Sequence, residues 1–442
     1  MSATIAGFAL PVVLIALLIA RQNIVVILGV ATFAAYYFWG GGELMNVVYD
    51  MWDASNREVL LSVPLYILAG AIMSQGSIAA RLIDLMRALM RPVPGGLSVA
   101  ALLACGIFAA ISGSSIVTLL AVGSIMYPAL IAAGYQRTFS IGMLCAGGTL
   151  GIIIPPSIPL ILYGIMTQAS IADLFIAGVG PGLTLLGVFV LYSMAINWTR
   201  DRGTWWSLHE LTTSFFRSIG ALLTPVVILG GIYSGYFTPT ESAAVAVLVA
   251  ISVETFIHKH GFMRLVRGDI RGFTASVSDM GRLIWRTVGE TSTMMGSLFP
   301  ILAIALSLNV FLTYQQVPNH IVEWLTTYID SKVMFILLVN LFLLVVGCFL
   351  DSGSAILILS PLLPPMAQSY GIDLVHFGII MTVNLEIGYL TPPMGLNLIV
   401  AMGAFREDFV TIIKGVWPFV LLMLAVLVVV SFYPPLSLFL IK

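Results

Sequence analysis

The sequence predicts an all-α polytopic membrane protein: an inverted-topology repeat with two re-entrant helical hairpins and two broken transmembrane helices. Three observations carry this. Hydrophobic residues make up 60% of the 442-residue chain and charged residues only 9%. A soluble domain needs roughly a quarter of its residues charged, so this chain uses lipid as its solvent. Its apolar residues also fall into stretches near twenty residues, the length that crosses a ~30 Å hydrocarbon core. Finally, helix-disturbing residues recur in one register: Pro128, Gly134, Gly151, Pro155 and Pro156 are matched by Pro365, Gly371, Gly388, Pro392 and Pro393, each pair 237 positions apart. The 41 glycines and 21 prolines sit inside apolar runs. They therefore break helices at membrane depth rather than mark disorder, which needs low hydrophobicity.

Spans are expected at 4–20, 24–39, 59–75, 139–168, 171–198, 218–234, 240–257, 291–313, 374–405 and 411–440, with hairpins at 97–133 and 333–369. No basic segment precedes the first run and Arg21 follows it, which predicts an uncleaved first span rather than a signal peptide. Basic residues set the orientation. With the N-terminus outside, sixteen of the nineteen Lys and Arg lie on the inner face, from Arg21 and Arg81 to Arg406 and Lys414. Only Arg57, Lys332 and Lys442 lie outside. Segment 78–91 places Ile78, Leu82, Leu85, Met86 and Leu89 on one face and Arg81, Asp84, Arg87 and Arg91 elsewhere, the pattern of a helix lying on the inner membrane surface. Segment 319–329 is a weaker outer counterpart.

The chain divides into a first repeat, 1–198, a cytoplasmic connector, 199–217, and a second repeat, 218–442, which holds a basic loop at 258–290. Each repeat has five spans, one surface helix and one hairpin. Five is odd, so the two halves enter the membrane in opposite orientations. Inverted repeats of this kind build transporters whose site lies near the midplane.

The site is expected at the hairpin tips and the helix breaks. The arm 97–111 is about 22 Å long as a helix, short of the hydrocarbon core. It ends in the uncharged polar tip Ser112-Gly113-Ser114-Ser115. A polar turn cannot face lipid, so the tip is buried or lines a cavity. The tip Asp351-Ser352-Gly353-Ser354 is its counterpart. Downstream of each tip a long apolar run is interrupted, at 151–157 with Pro155 and Pro156, and at 388–395 with Pro392 and Pro393. Consecutive prolines remove N–H donors and free carbonyls one turn earlier. Either hydroxyls and neighbouring helices satisfy those carbonyls, or a small hard cation does. Sodium fits better than a divalent ion, because Asp351 is the single carboxylate at either tip.

Helix N-termini expected at Ile116 and Ala355 favour an anionic substrate. Thr149, Asn384 and Asn397 are nearby hydrogen-bonding candidates. No arginine occurs at membrane depth, so dipoles and co-bound cations would neutralise the anion, with cations binding first. Three intramembrane carboxylates are functional candidates: Asp351 as a cation ligand or helix cap, Glu386 as a proton or ion site, and Glu241, where Thr-Pro-Thr-Glu has the form of a helix start. Cys105, Cys145 and Cys348 lie far apart in apolar runs, and no zinc, disulfide, nucleophile–base or phosphate-loop pattern occurs, so no enzyme or nucleic-acid chemistry is expected.

The run 237–246, from Phe237-Thr238-Pro239-Thr240-Glu241 to Ala246, resembles a characteristic stretch of the large membrane subunit of TRAP (tripartite ATP-independent periplasmic) transporters. The two tips and the Gly-x-x-x-Pro-Pro-Ser break resemble the same family, and the similarity covers essentially the whole chain. The resemblance implies an elevator-type, sodium-coupled secondary transporter in a bacterial inner membrane, importing a C4-dicarboxylate, sialic acid or another sugar acid; the basic-residue distribution puts both termini on the periplasmic side. The resemblance also implies two partners, a periplasmic substrate-binding protein and a small four-helix membrane subunit, and no cofactor beyond Na+. By analogy one cation site uses Ser112, Gly113, Ser114 and Ser115 with Gly151, Ile154, Pro156 and Ser157. The other uses Asp351, Ser352, Gly353 and Ser354 with Gly388, Thr391, Pro393 and Asn397. The substrate falls to Ser115, Thr149, Ser354, Asn384 and Asn397. A stand-alone sodium/anion symporter and a passive channel are the alternatives. Dependence on the two partners separates the first from the TRAP reading, and coupling to the sodium gradient separates the second.

Overall fold

A computed structural model describes residues 9–14, 16, 17, 20, 22–199, 205–258 and 269–441. Part of the span expected at 4–20 lies outside the described residues, as do Arg21, Arg200, Arg202, Lys259, Arg264, Arg267 and Lys442. Among the described residues there are helices and no strand. Eight helices are long and apolar enough to cross a membrane.

One group of helices packs around the 45-residue helix Ile270–Tyr314. That helix is about 68 Å long, more than twice the hydrocarbon core. Ile24–Trp39, Met45–Ser55 and Ser62–Gln75 pack on it, and Ser62–Gln75 also packs on Pro239–Ser252. Tyr36 ties this group together, donating from its hydroxyl to Asp50 on the second helix and lying 3.1 Å from the Ser307 carbonyl on the long one. Residues 270–290 are helical, although the sequence expectation placed them in a basic loop. Helix Met45–Ser55 lies between the spans expected at 24–39 and 59–75.

The amphipathic helix forms as Ile78–Met90 and buries Ile78, Leu82, Leu85 and Met86, leaving Asp84 and Arg87 exposed. Its apolar face rests on protein, packing against Gly96–Ser112 and Leu208–Tyr233. Its start is held by Glu254, which accepts from the Ser77 N–H (3.0 Å) and hydroxyl (3.1 Å). Glu254 is 2% exposed. It lies within the span expected at 240–257 and is a carboxylate absent from the three expected at membrane depth. It has a structural cap to make. Glu241 also caps, forming a capping box with Thr238.

The second group holds both hairpins and both broken helices. The first hairpin is Gly96–Ser112 and Ser115–Ala132. Its arms are about 26 and 27 Å long. Both pack on the first broken helix, Arg137–Ile153 and Ile158–Thr167, which is buried almost throughout. The second hairpin begins with Lys332–Phe349. Its return arm differs from the first, splitting into Ser352–Leu359 and Leu363–Ser369. Pro361, Pro364 and Pro365 crowd that arm, and each removes a donor from the helix. The first return arm carries a lone proline, Pro128, and stays continuous. The second broken helix is Leu374–Gly388 and Leu396–Phe405. Its pieces are about 22 and 15 Å long, so neither crosses the core alone. Ile171–Ile196 and Phe409–Phe432 pack against both broken helices.

Backbones touch in this second group. A Cβ on Gly142 would lie 1.9 Å from the Gly415 carbonyl oxygen, and one on Gly415 would lie 2.2 Å from that of Thr138. Small residues permit such contact between membrane helices. Gly415→Val is expected to push the first broken helix off Phe409–Phe432 and cost at least about 2 kcal/mol. Thermal unfolding of the purified protein in detergent should drop by several degrees, and an unchanged midpoint would show that the helices are not in backbone contact.

Candidate functional site

Both hairpin tips open into one cavity of about 200 Å³. Gly113, Ser114 and Ser115 line it from the first hairpin, and Asp351, Ser352 and Gly353 from the second. Ile152, Ile158, Pro159 and Leu162 of the first broken helix, Tyr389 and Leu396 of the second, and Ile67, Met294 and Leu298 of the surrounding helices complete the wall. Among the described residues no lysine, arginine or histidine lines it. A second cavity of about 130 Å³ adjoins the first tip and reaches Glu290 and Thr291.

At the first tip the chain turns at Gly113, whose φ of +61° is open to glycine without strain. A Cβ there would lie 2.8 Å from the Pro156 carbonyl oxygen. One on Gly151 would lie 2.5 Å from the Ser114 carbonyl oxygen. The tip thus packs backbone to backbone on the break, bringing together Ser112–Ser115 with Gly151, Pro156 and Ser157. The return helix starts at Ser115 with Ser114 as its N-cap, one residue before the expected start. Ser112 Oγ lies 2.8 Å from Thr118 Oγ1, and Thr118 donates to the Ser114 carbonyl (2.9 Å). At the break, the carbonyl of Ile152 accepts from the Ser157 hydroxyl, which also caps the following helix at Leu160. Ile154 takes an extended conformation as the C-cap of the preceding helix.

At the second tip Asp351 is an N-cap, accepting from the Ser354 N–H at 2.9 Å. The helix begins at Ser352, three residues before the expected Ala355. Tyr389 spans from the break to this tip. Its hydroxyl accepts from the Ser352 N–H at 2.8 Å and lies 2.8 Å from Ser352 Oγ. The sequence reading did not single out Tyr389. Its signal was an aromatic hydroxyl inside a break, next to Gly388. Prolines 392 and 393 free the carbonyls of Gly388 and Tyr389, which accept instead from the Thr391 N–H (3.1 Å) and the Asn397 N–H (3.2 Å), while the Thr391 hydroxyl donates to the Ile387 carbonyl (2.8 Å). Gly388 packs on the outgoing arm of the hairpin, where a Cβ would lie 2.3 Å from the Gly347 carbonyl carbon.

The remaining candidates fall into separate places. Asn397, grouped by analogy with the second tip, crosses to the first, donating from Nδ2 to Ser115 Oγ (2.6 Å) and to the Cys145 carbonyl (3.5 Å). Its Oδ1 is buried without a partner among the described residues. Asn384 turns away, donating to Asn340 Oδ1 (2.7 Å), and Asn340 donates to Ser431 Oγ (3.0 Å). Thr149 donates to the Ala146 carbonyl (2.7 Å), and Glu386, 0% exposed, faces it with neither carboxyl oxygen hydrogen-bonded among the described residues. Ser354, Thr149, Asn384 and Asn397 do not line the tip cavity. The arrangement offers a small binding volume of hydroxyls, helix N-termini and backbone carbonyls, with one carboxylate and no cationic side chain.

The family model for the DctM component of the tripartite ATP-independent periplasmic transporter matches residues 11–436. The chain belongs to the DctM family. A DctM-family relative, the C4-dicarboxylate TRAP transporter large permease protein of Pseudomonas aeruginosa, is 40% identical over 399 residues, covering 90% of this chain and 89% of that protein. The isethionate TRAP transporter permease protein DctMQ of Oleidesulfovibrio alaskensis is 34% identical over 419 residues, covering 93% of this chain and 62% of that longer protein. The YdaH transporter of Alcanivorax borkumensis shares the fold, with a TM-score of 0.62 at 16% identity over 89% of this chain and 88% of its own. DctM-family proteins are transporter permease subunits, so this one is not an enzyme.

Tyr389→Phe removes the acceptor of the buried Ser352 N–H, which should cost about 1–3 kcal/mol of stability. Because the two residues touch, Tyr389→Phe and Ser352→Ala together should cost less than their sum. A strictly additive pair in detergent unfolding would show that the phenol does not hold the tip.

Proposed function

We propose that this chain is the large transmembrane subunit of a sodium-driven importer that receives an organic acid anion from a periplasmic binding protein. The observation that carries the reading is the convergence of both tips, with their helix N-termini, on one small cavity whose described wall holds no basic side chain. Helix N-termini favour anions. With no basic side chain in the wall, bound cations are needed to balance the negative charge. The freed carbonyls and tip hydroxyls are the oxygen ligands sodium prefers. The Ser112–Ser115 tip with the 151–157 break forms one sodium site, and the Asp351–Ser354 tip with the 388–397 break the other.

The two packing groups give the motion. Hairpins, broken helices, Ile171–Ile196 and Phe409–Phe432 travel as one body against the helices around Ile270–Tyr314, in an elevator cycle. The hairpins are re-entrant, the repeats are inverted, and both termini lie on the periplasmic side of the inner membrane, as the asymmetry of basic residues favours. The small membrane subunit packs against the static group.

Ser114→Trp should fill the tip cavity and abolish sodium-driven uptake by the assembled transporter in proteoliposomes, while membrane insertion is retained. Wild-type uptake in that variant would falsify the tip site. Replacing Pro155 and Pro156 by Ala should let the helix close its own carbonyl bonds, raising the sodium concentration for half-maximal uptake several-fold. An unchanged sodium activation curve removes the ion from this break. Uptake by the large subunit alone would make it a stand-alone symporter.

A further inference from the structure

A larger cavity, about 670 Å³, opens on the face that carries Arg57, which the distribution of basic residues assigns to the outside. It is stacked above the tip cavity on the same elements. Leu162 of the first broken helix lines the lower cavity and Met166, one turn on, the upper. Leu298 of the long helix lines the lower and Leu306 the upper, and on the second hairpin Ser352 lines the lower and Ser360 the upper. Eight residues of helix are about 12 Å. Buried Leu302 and Ile356 lie between the two levels in sequence.

The upper wall has a chemistry of its own. Arg57 is its one charged residue, exposed and in no ion pair among the described residues. Among the described residues no aspartate or glutamate lines it. Ser360 sits where Pro361 interrupts the return arm of the hairpin. It is 3% exposed, and its hydroxyl has no hydrogen-bond partner among the described residues. A buried unpaired hydroxyl is costly and persists where a ligand completes it. Gln368 is exposed on the same wall. Asn309 and Gln168 each give an amide N–H to a carbonyl, of Met166 (3.1 Å) and Ile165 (2.9 Å), and each amide keeps an oxygen acceptor and a second N–H in its inventory.

We propose that this outer cavity is a second, transient site for the organic anion, where the Arg57 guanidinium takes its carboxylate or sulfonate before the anion moves inward to the tips. The inference rests on the import reading above. It differs from the tip site in kind: the outer site neutralises charge with a side chain, the inner one with dipoles and cations. An arginine holds an anion without sodium, so the outer site loads independently of the cation.

The test uses the assembled transporter in proteoliposomes, with Gln368→Cys as reporter in a Cys348→Ala background. The probes are an anionic and a cationic methanethiosulfonate, sulfonatoethyl and trimethylammonium-ethyl. With Arg57 present, the ratio of anionic to cationic reaction rates should be about tenfold higher than in Arg57→Gln. Equal ratios, or no reaction from the outside, overturn the proposal. For any anion the transporter takes up, Arg57→Gln should raise KM about tenfold and leave kcat alone. If the variant instead shifts the dependence on binding-protein concentration, Arg57 is a docking contact and the proposal falls. Absence of sodium-driven uptake in the wild type would remove the import reading, while the reagent ratio still decides whether the cavity attracts anions.

Discussion

Every backbone polar group at membrane depth must find a partner within the protein, because hydrocarbon supplies none. The site follows from that constraint. Two helices are cut by paired prolines, and each cut frees carbonyls that lipid cannot serve. The protein answers locally with the Ser157 hydroxyl on Ile152, and with the N–H groups of Thr391 and Asn397 on Gly388 and Tyr389. It also answers at longer range by pressing a hairpin tip onto each break. Ile158 donates to the Gly113 carbonyl (3.4 Å), and the Tyr389 phenol accepts from Ser352. The tips need burial and the breaks need partners, and one packing arrangement meets both needs.

That arrangement depends on absent side chains. Gly113 and Gly151 admit the first tip, and Gly388 and Gly347 seat the second hairpin on its break. Gly142 and Gly415 bring Phe409–Phe432 against the same assembly. With no hydrophobic force between helices in lipid, close backbone approach and dispersion hold such a body together. The other group of helices is held differently, by the polar clamp of Tyr36, Asp50 and Ser307 and by the long helix on which Ile24–Trp39, Met45–Ser55 and Ser62–Gln75 pack. The two groups are thus held together by different means, one by backbone contact at glycines and the other by side-chain polar ties.

Much of this was legible in the sequence because the membrane makes few patterns allowable. Span 24–39 coincides with helix Ile24–Trp39, and the double prolines mark both breaks. What escaped had local signals that the tertiary structure overrode. Residues 270–290 carry enough charge to look like a solvated loop, yet they continue a helix that extends beyond the hydrocarbon. Glu254 was hidden by its apolar neighbours, and its partner Ser77 lies 177 positions away. Within the site, the first tip packs on the break that the family analogy groups with it. Spacing could not show that Asn397 leaves its own half to meet Ser115, since that contact joins residues 282 apart.

That one hydrogen bond has a consequence for assembly. The wall of the tip cavity is drawn from both halves of the chain, and neither half encloses it alone. Ser115 and the first break form one edge, and Asp351, Ser352 and Tyr389 form the other. The chamber therefore closes only once residues 282 positions apart have met, as Ser115 and Asn397 do. A chain still emerging with its second half unfolded would hold an open cleft.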